Sequence, residues 1–296
     1  MLIDTVLAIS DAEPAPVPAV LSFPGSDAAG WAALDLSGLD AEGRFSPNLG
    51  CFLLRRPGCT VLCDLGIGPG PSAYLDGLTG RLPDVLAAEG LAPADIDAVI
   101  FTHLHMDHVG WATRAGADGR RVATFPRADY FVAEPEYAFW ASGAPGAKPH
   151  HVAAFDTAFR PLLGLGRLFP VVHGETILPG MRLLATPGHT PGHAAILFEP
   201  ERLVIAGDIF HCPGQIERPE WGHRADMDPD AARDTRRAFL RRSADEGWTV
   251  GCGHFRDGLQ LGHIAAAAAG FRFVPAAGMP TPADRPHHPV QQGRLQ

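Results

Sequence analysis

Thr102-His103-Leu104-His105-Met106-Asp107-His108 places three imidazoles and a carboxylate within six consecutive residues. Directly upstream, Asp97-Ala98-Val99-Ile100-Phe101 is short, apolar and β-branched, the composition of a buried strand, so the four side chains fall where that strand ends. In an extended chain His103 and His105 share a face, because side chains alternate with period two. Asp107 and His108 break that alternation and must lie on a turn or a first helical turn, facing a second position. One strand end can therefore serve two adjacent metal ions. A lone core histidine usually satisfies a hydrogen bond; four ligand-capable side chains in six residues read as a metal site.

Working outward, three further candidates stand at strand ends beside glycine. His189 lies in Thr186-Pro-Gly-His-Thr-Pro-Gly-His193, Asp208 in Ala206-Gly-Asp, and His254 in Gly251-Cys-Gly-His. Glycine lets the backbone turn sharply and approach an ion, which a core histidine does not require. The spacing assigns His103, His105 and His189 to one metal, Asp107, His108 and His254 to a second, and Asp208 to a bridge. His193 competes with His189, which is nearer its strand end. Imidazole and carboxylate ligands without a thiolate suit two divalent ions, zinc first, with iron, manganese or cobalt as alternatives.

The rest of the 296-residue chain is bounded more loosely. A net charge of −9 with no basic tract argues against a nucleic-acid partner. Cys51, Cys59, Cys63, Cys212 and Cys252 are odd in number and lack zinc-finger spacing, so reduced thiols are expected. The first residues lack a basic leader, and no apolar run is long enough to span a bilayer, which predicts a cytoplasmic protein that binds no membrane. Residues 1–46 are expected to form an N-terminal extension packing on or near the site. A single hydrolase-like domain is expected over 47–274, with residues 134–172 as an irregular insertion beside the site and 275–296 as a disordered Pro/Gln-rich tail containing His287-His288. His150-His151 reads as a surface pair. Asp228-Pro229 to Glu246 reads as a helix stopped by Gly247, its Arg233, Arg236, Arg237, Arg241 and Arg242 forming a solvated face, and Leu259 to Ala269 as an Ala-rich last helix.

From Leu49 to His263 the sequence resembles the metallo-β-lactamase superfamily. The marks are Val61-Leu-Cys-Asp64-Leu-Gly, the H-x-H-x-D-H run, His189, Gly207-Asp208 and His254, in that order. The resemblance implies an α/β fold, a four-layer αββα sandwich with a dinuclear site along one edge, and it makes the same ligand assignment. It also implies that Asp64 is a carboxylate behind the ligands, steadying them. Phe101 to Trp140 and Gly207 to His254 are most similar to the subgroup containing methyl parathion hydrolase and N-acyl-homoserine lactonases. Many homoserine lactonases carry Tyr three residues after the bridging Asp; here that position is His211, as in methyl-parathion-hydrolase-like members.

The expected function is that of a dinuclear metal-dependent hydrolase, in which a metal-bridging hydroxide cleaves a lactone or carboxylic ester. The alternatives are an organophosphate triester hydrolase, a thioester hydrolase of the glyoxalase II sort, and a non-catalytic metal-dependent binding module. Asp107 is the candidate proton shuttle and His211 the candidate donor to the developing oxyanion. Trp111, Phe139, Trp140, Phe210 and Trp221 are candidates for an apolar substrate wall, and each has a plain core reading beside it. The expected partner is a small-molecule substrate, and a homodimer is compatible with the sequence.

Overall fold

Period-two alternation in the apolar runs decides which layer each strand faces. The computed structural model describes residues 3–268 and 270–276. Strands β1 (Thr5–Ala12), β2 (Leu49–Arg56), β3 (Cys59–Cys63), β4 (Ala98–Ile100), β5 (Asp129–Ala133) and β6 (Leu168–Val171) form a six-stranded sheet in that order. β1 to β3 are antiparallel, and β3 to β6 are parallel. Strands β7 (Thr176–Leu178), β8 (Met181–Ala185), β9 (Ala194–Phe198), β10 (Leu203–Ile205), β11 (Thr249–Gly251), β12 (Leu261–Ala267) and β13 (Gly270–Pro275) form a seven-stranded sheet, also in chain order. Within it only β10 and β11 are parallel.

On β2, Phe52 and Leu54 pack between the sheets, while Cys51 and Leu53 face outward. On β9, Ala194, Ile196 and Phe198 join the inter-sheet core, and Ala195 and Leu197 face the other way. Helices α1 (Leu82–Ala88), α2 (Met106–Val109), α3 (Glu134–Ala141) and α4 (Pro149–Ala154) cover the first sheet through Leu82, Leu86, Val109 and Trp140. Helix α5 (Pro229–Glu246) covers the second through Phe239 and Leu240. The result is a four-layer αββα sandwich. Full burial of each large apolar side chain contributes about 1.5–3 kcal/mol, so these three apolar layers dominate its stability. Asp228 caps α5 by accepting from the Ala231 N–H, Pro229 opens it, and Gly247 ends it at φ 64.

Several expectations need correction. Residues 5–12 lie within the first sheet, because β1 pairs along β2, so the chain before residue 47 is not simply an extension. Residues 134–172 are helical where an irregular insertion was expected, and their end supplies strand β6. The alanine run after Leu259 is strand β12 rather than a helix. Alanine's helix preference is overridden there by pairing on both sides and by Gly262, where a Cβ would come within 2.3 Å of the Phe273 ring. Pro275 ends a strand, and the rest of the expected tail, residues 277–296 with His287-His288, lies outside the described residues. Among the described residues all five cysteines are free, and no helix is long and apolar enough to cross a membrane.

Candidate metal centre

Strands β8 and β10 are both antiparallel to β9, so their C-terminal ends point the same way, and β11 runs parallel to β10. His189, Asp208 and His254 leave those three ends. His103, His105, Asp107 and His108 leave the C-terminal end of β4 in the facing sheet, with Asp107 and His108 on the short helix α2. Gly207 makes the turn into Asp208 possible. It sits at φ 55 against Thr102 and His193, where a Cβ would come within 2.6 Å of His193 Nε2.

The seven predicted ligands converge on Asp208. His103, His105, His189 and Asp208 can each offer an atom within 4.8 Å of the others, as can the set Asp107, His108 and His254. Asp208 Oδ2 lies 3.1 Å from His189 Nε2 and 3.0 Å from His254 Nε2, and Oδ1 lies 3.3 Å from His108 Nε2. His105 Nδ1 meets His189 Nε2 at 3.0 Å. His193 is not part of this set: its Nε2 accepts the Asp208 backbone N–H at 3.0 Å, so it braces the loop that carries Asp208.

Behind the centre, four of the five imidazoles are oriented by a second partner. Asp64, a non-glycine residue at φ 60, accepts from the Thr102 N–H and hydroxyl at 2.8 Å each and from His108 Nδ1 at 2.9 Å. Asp226 accepts from His189 Nδ1 at 3.0 Å, and the Asn48 carbonyl accepts from His254 Nδ1 at 2.7 Å. His103 Nδ1 meets the Thr102 hydroxyl at 3.1 Å. With their hydrogens held on the far nitrogens, the near nitrogens turn lone pairs toward the carboxylate.

That arrangement is repulsive unless protons or cations lie inside it. His103 Nε2, His108 Nε2 and Asp208 Oδ1 are buried without a hydrogen-bond partner among the described residues. Burial opposes charge on His108, His189 and His254, yet neighbouring carboxylates, Asp208 foremost, outweigh it and raise all three, His189 to about 9. Burial likewise works against the Asp208 carboxylate, but His254, His108 and His189 hold it well below the usual range. His103 and His105 are pushed well down by burial and then by neighbouring imidazoles. A buried set of donors that must store protons when alone is suited to divalent ions, which take the protons' place.

His211 also enters the cluster. Its Nε2 is 3.3 Å from Asp208 Oδ2, its ring stacks on His223 at 3.6 Å, and neither ring nitrogen has a hydrogen-bond partner among the described residues. Burial lowers its pKa to about 4, which keeps the ring neutral. Asp107 is the most open of the acids, with 19% of its side chain exposed. The predicted aromatic wall is largely elsewhere. Phe210 is fully buried in the core under α5 beside Phe239, and Trp111 donates to Asp11. Trp221 packs on Trp31 of the N-terminal segment. Trp140 is buried behind His105 at 5.8 Å, and Phe139 packs against Trp140.

Sequence reading missed several polar residues. His151 is not a surface residue: it is buried, stacks on His105 at 3.8 Å and accepts the Met106 N–H through Nδ1. Arg236 is not on the solvated face of α5; its side chain is 1% exposed and pairs with Asp226 at 3.2 Å. A signal was present, since Ala232, Arg236, Phe239, Leu240 and Ser243 lie along one helical stripe, and a charge there requires a buried partner. Glu136 accepts from Leu104 N–H, Trp140 Nε1, Thr190 Oγ1 and Gly192 N–H, clamping the His103–His105 segment to the His189 loop. Asp11 accepts from Ile67, Arg81 and Leu82 N–H and from Trp111, tying β1 to the loop after Asp64.

Comparison with known proteins agrees with this geometry. The chain is 28% identical over 172 residues to an N-acyl homoserine lactonase of Bacillus sp, covering 51% of this chain and 58% of that one, so it spans less than two thirds of that relative. It is 30% identical over 205 residues to metallo-beta-lactamase domain-containing protein 1 of Xenopus laevis, covering 67% of this chain and 72% of that one. The solved structure of AbOPH, a hydrolase in the beta lactamase superfamily, superposes with a TM-score of 0.75 at 25% identity, covering 92% of this chain and 94% of that one. The family model of the metallo-beta-lactamase superfamily matches residues 51–254, a span that starts on β2 and closes on His254, and the chain belongs to that superfamily.

Proposed function

We propose that the protein is a metal-dependent hydrolase that cleaves a lactone or carboxylic ester at a two-metal centre. The observation that carries this reading is Asp208, whose two carboxylate oxygens lie 3.0–3.3 Å from imidazole nitrogens of both ligand sets. His103, His105 and His189 would hold one ion and Asp107, His108 and His254 the other, with Asp208 between them. Bound divalent ions, zinc by the donor chemistry, would lower the pKa of water and polarise the substrate carbonyl. Asp107, partly exposed and facing His108 and His254, takes up the proton released as water attacks. His211, neutral and with its ring nitrogens free, donates a hydrogen bond to the oxygen on which negative charge develops. The similarity to an N-acyl homoserine lactonase supports a lactone or ester over other bonds.

The test is elemental analysis of the purified protein together with a substrate panel of lactones, aryl esters, thioesters and aryl phosphotriesters. Close to two ions per chain and chelator-sensitive turnover of lactones or aryl esters are expected. A single ion, or turnover confined to thioesters or phosphotriesters, would replace this reading.

A further inference from the structure

A pocket of about 180 Å³ opens on His105, lined in part by Lys148, His151, Arg224 and Asp226. Of the 24 lysine and arginine residues in the chain, Lys148 is the sole lysine. It stands beside Arg224, with Nζ 3.4 Å from the Arg224 carbonyl oxygen. Among the described residues neither side chain forms an ion pair. The two like charges feel each other: burial, and then Arg224, push the Lys148 pKa down. Both carboxylate oxygens of Asp226 are already taken, Oδ1 by His189 and Oδ2 by the His223 N–H and Arg236. The other acid acting on this side is Asp107, which the proposed function gives to a metal ion.

His151 adds a third donor. Its Nδ1 accepts the Met106 backbone N–H at 3.1 Å, so its own hydrogen resides on Nε2. The pocket therefore gathers an ammonium, a guanidinium fork and an N–H donor, with no acid free to pair with them, in a chain of net charge −9. Both residues are exposed where they line the pocket, and an Arg fork beside a point charge matches a planar carboxylate.

We propose that this pocket is a subsite for a carboxylate carried by the substrate, held by Lys148, Arg224 and the Nε2–H of His151. The substrate class becomes an ester or lactone with an acidic side group, anchored so that its scissile carbonyl lies at the His105 edge of the metal centre. Both halves rest on the metal-centre reading, which takes Asp107 out of the pocket; only the catalytic half rests on turnover.

Both halves are tested on the metal-loaded protein. Turnover of mono-(4-nitrophenyl) glutarate is compared with that of the neutral 4-nitrophenyl pentanoate, and binding of the non-hydrolysable glutaramate and of inorganic phosphate is followed by calorimetry. The wild type should favour the anionic ester at least tenfold in kcat/KM. The Lys148→Gln/Arg224→Gln double variant should lose that preference and bind glutaramate at least tenfold more weakly at unchanged metal content. If neither ester is cleaved but glutaramate binding still depends on the two cations, the hydrolase reading fails and the subsite stands. Cleavage of both esters at equal kcat/KM by the wild type, or glutaramate binding that the double variant retains, overturns the subsite and leaves the hydrolase reading intact. Phosphate binding that the double variant weakens more than it weakens glutaramate binding overturns the carboxylate assignment.

Discussion

Removing either partner of the buried Asp226–Arg236 pair should separate the stability of the fold from the hold on the metal. Asp226 accepts from His189 Nδ1, from the His223 N–H and from Arg236, and both side chains are essentially sealed from solvent. Breaking a buried pair by removing one member costs about 3–5 kcal/mol. In Arg236→Met the carboxylate keeps two of its three donors, so the cost should lie near the lower figure. In Asp226→Asn the charge is lost and one amide oxygen faces the donors that two carboxylate oxygens served, while the second terminal nitrogen of the guanidinium is already without a partner, so the cost should lie near the upper one. Only Asp226 touches a ligand, so Asp226→Asn should also lower metal affinity about 10–100-fold, the usual effect of losing a carboxylate behind a ligating histidine. Arg236→Met should change affinity less than tenfold. Urea unfolding of the metal-free proteins and competition with a chromophoric chelator measure the two quantities separately. An Asp226→Asn variant with wild-type metal affinity, or an Arg236→Met variant that loses as much affinity as Asp226→Asn without losing stability, would refute this reasoning.

Asp208→Ala should lose both metal ions and activity together, because one carboxylate reaches both ligand sets; full metal content with near-normal turnover, read by elemental analysis and rate, would mean another residue bridges. His211→Ala should keep both ions while turnover falls by about a hundredfold; loss of an ion would make it a ligand, and no change in either would make it a packing residue. In the metal-free chain burial opposes charge on His189, but Asp208 and Asp226 raise its pKa from 6.5 to about 9. A raised histidine contributes stability that is whole below its ordinary value and is lost as pH climbs through the folded one. Urea midpoints of the metal-free protein should therefore fall from pH 6.5 to 9, whereas in the loaded protein, where metal replaces that proton, this loss should be absent.

The candidate ligands were legible because each carried a local mark. His103 to His108 are dense in ligand types at a strand end, and His189, Asp208 and His254 each follow a glycine. The residues that orient them carried no such mark. Asp226, Glu136 and Asp11 are single acids in unremarked surroundings, and their partners lie as far as 37, 56 and 100 residues away in sequence. His151 looked like a loop residue because only the folded chain shows that it lies against His105. Strand β12 was misread for a different reason: local alanine preference is weak compared with pairing to two neighbours. The apolar runs marked several of the strands, but not their layering: strands buried on both faces, such as Leu49–Arg56 and Ala194–Phe198, read as continuous apolar runs, and the sandwich was implied by the family resemblance alone.

The ligand sets draw on both sheets, and this has a kinetic consequence. His105 and His189 are 84 residues apart, and neither of the two proposed ligand sets lies within one sheet edge. The centre cannot exist until β4 and β8, β10 and β11 have docked, and such non-local contacts form late. Bound metal would accordingly arrive as the guest of a nearly finished molecule and would not template its assembly. Its grip should show up almost wholly as slower unfolding, with refolding rates indifferent to whether metal is present.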